Sequence, residues 1–141
     1  MRVFAIGVAA LALAGCATIQ RATATVNGAI NMVEGVRGTV TQVLNAPAPL
    51  ANTQRDEALI RSAYTRFDQG LSIIEALVDR RVITPGSPNA LRIAAGVDLV
   101  KRELRRAYTA QQALNTGTVR DALGIAQRGL TDLIANLRQE Q

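Results

Sequence analysis

The chain has 141 residues, 48% of them hydrophobic and only 3% aromatic, with no His, no Trp and a single Cys. That length allows one small domain plus a tether, and the missing His and lone Cys exclude a His-assisted nucleophile, a His or Cys metal cluster and a disulfide within one chain. Sixteen basic side chains, all Arg except Lys101, against eleven acidic ones give a formal net charge of +5.

The chain opens with Met1-Arg2, runs through an apolar stretch from Val3 to Leu13, and closes that stretch with Leu13-Ala14-Gly15-Cys16. One positive charge, a short apolar core and small residues form a secretory signal. About a dozen apolar residues is too short for a stable span, which takes ~20. Leu13-Ala14-Gly15-Cys16 resembles the lipobox of bacterial lipoproteins. The resemblance implies cleavage between Gly15 and Cys16, a diacylglyceryl group on the Cys16 thiol and N-acylation of the new terminus. The alternative for a lone Cys is a buried core thiol, but lipidation accounts for its place at the end of the signal. One acyl chain anchors marginally and two or more hold firmly. In such lipoproteins Asp directly after the Cys commonly causes inner-membrane retention; here Ala17 follows, so the expected location is the outer membrane, facing the periplasm.

After the signal (1–15), a lipidated N-terminus and amphipathic helix are expected over 16–44. From Thr18 to Leu44, Ile19, Ala22, Val26, Ala29, Val33, Val36, Val40 and Val43 alternate steps of three and four, a heptad seam. Gly28, Gly35, Gly38 and several Thr weaken the helix, so alone it is marginal. It needs a partner: the downstream helices, a copy of itself or another envelope protein. An extended spacer is the remaining option.

Pro47 and Pro49 make 45–52 a stiff hinge, because Pro lacks an amide donor and biases its predecessor away from helix. A helical bundle is expected over 53–141. Its first helix runs from about Thr53 to Arg81, capped by Asn52 or Thr53, with Asp56 and Glu57 in the first turn. The apolar face is Ile60, Ala63, Phe67, Leu71, Ile74 and Val78, widened by Tyr64 and Leu77. Glu57 and Arg61 stand four apart in the favourable order. After a Pro/Gly connection, Ser87 and Pro88 read as cap and first residue of a helix reaching about Leu114. Its seam is Ile93, Val97, Val100, Leu104, Ala107 and Leu114, interrupted by Gln111, and Gly117 is its expected stop. Thr118 to Asp121 reads as a capping box opening a last helix, with Val119, Leu123, Ala126, Leu130, Leu133 and Leu137 on one face. The fold class is therefore all-α: a three-helix up-down-up bundle preceded by a lipid-tethered, weakly heptad helix that is free to dock as a fourth.

Chemistry-bearing groups are sparse. Glu75 and Asp79 share a helical face and can flank a cation, although a solvated acidic patch is the plainer reading. No Gly-rich phosphate loop occurs. Lys101, Arg102, Arg105 and Arg106 lie along the side of the third bundle helix away from its seam, a stripe suited to an anionic partner. An ordinary solvated face with an Asp98–Arg102 pair is the alternative. Tyr64, Phe67 and Tyr108 fit the core, and Gly70, Gly96, Gly124 and Gly129 mark close helix approach or mild kinks. Scarce aromatics argue against stacking of single-stranded nucleic acid.

The expected function is that of a non-enzymatic, membrane-tethered interaction or assembly module, without metal or cofactor beyond the Cys16 lipid, acting on an envelope protein or on copies of itself. The short heptads after a lipidated Cys resemble the murein lipoprotein family, but that family ends in a wall-linked Lys and this chain ends Arg138-Gln139-Glu140-Gln141. In architecture the chain is also similar to the outer-membrane subunit of phage spanins, which implies envelope lysis as an alternative. A carrier of small apolar ligands is a further one.

Overall fold

A computed structural model of the chain describes residues 24–46 and 53–141. Cys16, the signal before it and the 47–52 part of the hinge lie outside the described residues. Among those described there are four helices and no strand: α1 (Val26–Leu44), α2 (Thr53–Asp79), α3 (Pro88–Gln112) and α4 (Thr116–Arg138).

Local capping decides where each helix starts. Thr25 is extended and its Oγ1 accepts the Gly28 N–H at 2.9 Å, so the helix expected from Thr18 begins at Val26; Thr18–Thr23 lie outside the described residues. Ser87 accepts the Ala90 N–H at 3.1 Å with Pro88 in the first helical position, the arrangement its sequence dictates. Asn115, not Thr118, caps α4: its Oδ1 accepts the Thr118 N–H at 3.1 Å. Gly117 is consequently a residue of the first turn of α4 and not the stop of α3.

The ends of α2 and α3 share one device. Arg81 (φ 60°) and Leu114 (φ 56°) occupy the left-handed region just past their helices. Arg81 N–H donates to Val78 O and Val82 N–H to Leu77 O at 3.0 and 2.9 Å. Leu114 N–H donates to Gln111 O and Asn115 N–H to Ala110 O at 3.0 and 2.8 Å. Both are Schellman closures, which satisfy the last carbonyls and usually place Gly where Arg81 and Leu114 stand. α2 thus ends at Asp79 rather than Arg81. Leu114, expected on the α3 seam, is instead 69% exposed.

Packing is antiparallel around a ring. Thr41 meets Gln127 and Glu34 meets Arg138 across α1–α4. Ala24 meets Arg80, and Gly35 sits by Arg66, across α1–α2. Asp68 meets Lys101 across α2–α3, while Asn89 meets Asn136 and Arg106 meets Asp121 across α3–α4. In every pair the residue numbers run in opposite directions. α1 lies beside α2 and α4, and α3 lies beside α2 and α4. The small-residue stripe of α1 is therefore turned onto its own downstream helices: Ala29, Val33 and Val36 are fully buried.

The core is built from Leu, Ile, Val and Ala around Phe67, with Leu123, Ala126, Leu130, Leu133 and Leu137 of α4 all buried as their spacing dictates. On α2 the buried face rotates along the helix. Ile60, Ala63 and Phe67 are buried, but in the last turns Ala76 and Leu77 turn inward while Leu71 and Val78 are only half-buried. Two glycines permit close approach. A Cβ on Gly70 would collide with the Met32 side chain of α1, and one on Gly129 would lie 3.0 Å from Val100 Cγ2 of α3. These contacts draw α1 to α2 and α3 to α4, and the α2–α3 pair is the loosest of the four.

Candidate functional site

The four basic residues of the α3 stripe do not form one free surface. Lys101 lies 3.3 Å from Asp68 of α2, with both side chains substantially exposed. Arg106 bridges Glu103 and Asp121, each at 2.7 Å, and so ties α3 to α4 beside a carboxylate that is 9% exposed. Arg105 donates to the Tyr64 hydroxyl at 3.0 Å. Arg102 is the loosest, 67% exposed and 4.0 Å from Glu103. The alternative Asp98–Arg102 pair does not form among the described residues; Glu103 lies closer to Arg102. An exposed ion pair such as Lys101–Asp68 contributes about 0–1 kcal/mol, so an anionic partner can compete for it at little cost.

Between α2 and α3 the aromatic residues form a reciprocal contact. The Arg105 guanidinium lies 5.8 Å from the Tyr64 ring centroid, and the Arg61 guanidinium 5.9 Å from that of Tyr108. Each helix thus supplies one Arg and one Tyr, three residues apart, and each Arg crosses to the other helix's ring. Hydrogen bonding to Tyr108 chiefly, with Glu57 adding to it, raises the Arg61 pKa above the usual Arg value, and Tyr64 does the same for Arg105. Glu103 first and Asp121 second raise that of Arg106. The signal was present in the sequence as a repeat, Arg61-Ser62-Ala63-Tyr64-Thr65 and Arg105-Arg106-Ala107-Tyr108-Thr109. Reading Tyr64 and Tyr108 as core residues missed it: Phe67 is fully buried, whereas the two tyrosines sit half-buried at the helix edges.

Beyond Asp68–Lys101, towards the α2–α3 connection, the two helices leave an open cleft of about 510 Å³. Its floor is apolar, with Leu71, Ile74 and Val78 from α2 and Ile93 and Val97 from α3. Its rim is acidic: Asp68, Glu75, Asp79 and Asp98 against Lys101 alone. Glu75 and Asp79, adjacent turns of one face in the sequence, therefore belong to a larger acidic border. No group of three His, Cys, Asp or Glu side chains lies close enough to hold a metal ion among the described residues. The cleft could not be read from spacing, because helical periodicity gives the apolar face but not which part of it a neighbour covers.

No described helix is long and apolar enough to cross a membrane. No family model, curated protein or solved structure matches the chain.

Proposed function

We propose that this chain is a lipid-anchored envelope protein whose helices act as an interaction or assembly module and not as an enzyme. The observation that carries the reading is Leu13-Ala14-Gly15-Cys16 at the end of a short apolar run behind Arg2. Cleavage before Cys16 and acylation of it provide more than one hydrocarbon chain, enough for stable anchoring. Ala17 in place of Asp directs the mature protein to the outer membrane, facing the periplasm. The bundle is a three-helix hairpin array, α2–α4, with the tethered α1 docked as its fourth member.

The helix arrangement supports the reading. Ala24 is eight residues from Cys16, which limits their separation to roughly 28 Å. The end of the helices that includes Ala24 also carries the α2–α3 connection and the C-terminus of α4, so this is the end held near the bilayer. The absence of His, with Cys16 consumed by lipid, removes the usual nucleophile and base pairs.

Intact mass of the protein extracted from bacterial membranes tests this. The expected mass is that of the chain from Cys16 onward plus acyl groups, and Cys16→Ala should move the protein out of the membrane fraction. An unprocessed, unmodified chain beginning at Met1 would overturn the reading.

A further inference from the structure

The α2–α3 cleft has a form that the lipid anchor does not explain. Its floor residues recur at helical spacing on two antiparallel helices, and the stretch from Asp68 to Asp79 covers about three turns, or ~16 Å. Two apolar ridges flanking a trough provide the seat for a third helix. Among the described residues, the polar bridges seen between α2 and α3 lie in one half of their contact: Arg61 and Tyr64 with Tyr108 and Arg105, and Asp68 with Lys101. In the other half Leu71, Val78 and Val97 stay half-buried and line the cleft. The Gly70 and Gly129 contacts hold α2 towards α1 and α3 towards α4, which keeps the trough open.

We propose that this cleft docks a cationic amphipathic helix of a partner protein, with an apolar stripe flanked by Lys or Arg. The inference deepens, and rests on, the interaction-module reading. Charge selects the occupant. The chain carries a net charge of +5, yet four carboxylates and one ammonium border this cleft. Glu75 and Asp98 form no ion pair among the described residues, and both are exposed. An anionic lipid headgroup would be repelled by this rim. The described part of a second copy is a poor fit, because its four described helices turn their apolar faces inward onto one another. Basic side chains on a partner helix would find carboxylates on both sides of the trough while its apolar stripe covered the floor. Leu91 and Val82, 63% and 45% exposed beside the same connection, extend the apolar surface at that end.

The experiment uses the full chain as expressed, in neutral detergent, with the photoreactive substitution Ala94→p-benzoylphenylalanine at the cleft wall. The probes are two fluorescent helical peptides of about 18 residues, one of Leu and Lys and one of Leu and Glu with the same pattern. Empty micelles set the partitioning baseline. The Leu/Lys peptide should bind saturably and form an adduct at position 94. Glu75→Lys with Asp98→Lys should weaken its binding about tenfold, whereas Asp132→Lys on α4 should leave it unchanged. If the double reversal reduces helicity by circular dichroism, Glu75→Gln with Asp98→Asn provides the same comparison with a smaller expected loss. Equal labelling by both peptides, absence of an adduct, or binding indifferent to either pair of substitutions would overturn the proposal. A chain-to-chain adduct without peptide would assign the cleft to self-association and overturn it as well. The assay does not depend on Cys16: failure here with intact membrane anchoring refutes the cleft alone, and failure of anchoring leaves the adduct in place.

Discussion

Arg105 of α3 donates to the hydroxyl of Tyr64 on α2, and the same guanidinium lies over the Tyr64 ring. Its counterpart, Arg61 over Tyr108, makes the contact reciprocal and fixes the α2–α3 register at the end away from Ala24. A contact of this kind is detected through coupling rather than through single substitutions. Tyr64→Phe and Arg105→Ala should each lower the urea midpoint slightly, and the double variant should be no less stable than the weaker single one. Strict additivity in that cycle would mean that the two side chains act independently.

The glycines separate into two physical classes. Gly38 has nothing within 4 Å of an added Cβ, so Gly38→Ala should stabilise the protein by about 1 kcal/mol through helix propensity alone. Gly129 faces Val100 and Leu99 at van der Waals contact or closer. Gly129→Leu should therefore destabilise by about 1–3 kcal/mol, the usual cost of overpacking. Chemical denaturation of the two variants beside the parent decides both. A stabilising Gly129→Leu would show that α3 and α4 separate without loss.

The helix seams were legible because burial follows the three-four spacing directly: Val33, Val36 and Val40, then Leu123, Ala126 and Leu130, are all buried. The termini were less so. Gly117 looks like a stop, but the closure that ends α3 uses Leu114, a residue with no local preference for positive φ, and Asn115 beside it takes the cap. The fate of the basic stripe was out of reach for another reason. Which of Lys101, Arg102, Arg105 and Arg106 finds a partner depends on the registers of α2 and α4 against α3, which the connections and the core packing set. The acidic cleft was hidden likewise, since Glu75 and Asp98 lie 23 positions apart in sequence and meet only across the hairpin.

The two left-handed residues allow a direct test of strain. Arg81 and Leu114 hold φ near 60°, where a side chain costs about 1–2 kcal/mol relative to Gly. Glycine also gives the unfolded chain more freedom, which offsets part of that gain. Arg81→Gly and Leu114→Gly should each stabilise by roughly 0.5–1 kcal/mol, and the effects should add because the sites lie at opposite ends of α3. The same substitutions to Ala should yield clearly less, since Ala keeps the Cβ. Equal gains from Gly and Ala would attribute the effect to the lost side chains and not to the backbone.

The charge pattern determines how stability depends on pH. Arg61, Arg105 and Arg106 have pKa values raised above the ordinary Arg value by Tyr108, Tyr64 and Glu103 respectively. A raised folded-state value means that the contribution is fully present below the unfolded pKa and is lost only as pH climbs through the folded one. For arginine that window lies far into alkali, so these three contacts persist throughout the neutral range. The chain has no His, the side chain whose ordinary titration falls near neutrality. Thermal unfolding followed by circular dichroism should accordingly give midpoints within about 2 °C of each other between roughly pH 6 and 9. A steep change inside that interval would show that groups other than these three arginines govern the pH dependence.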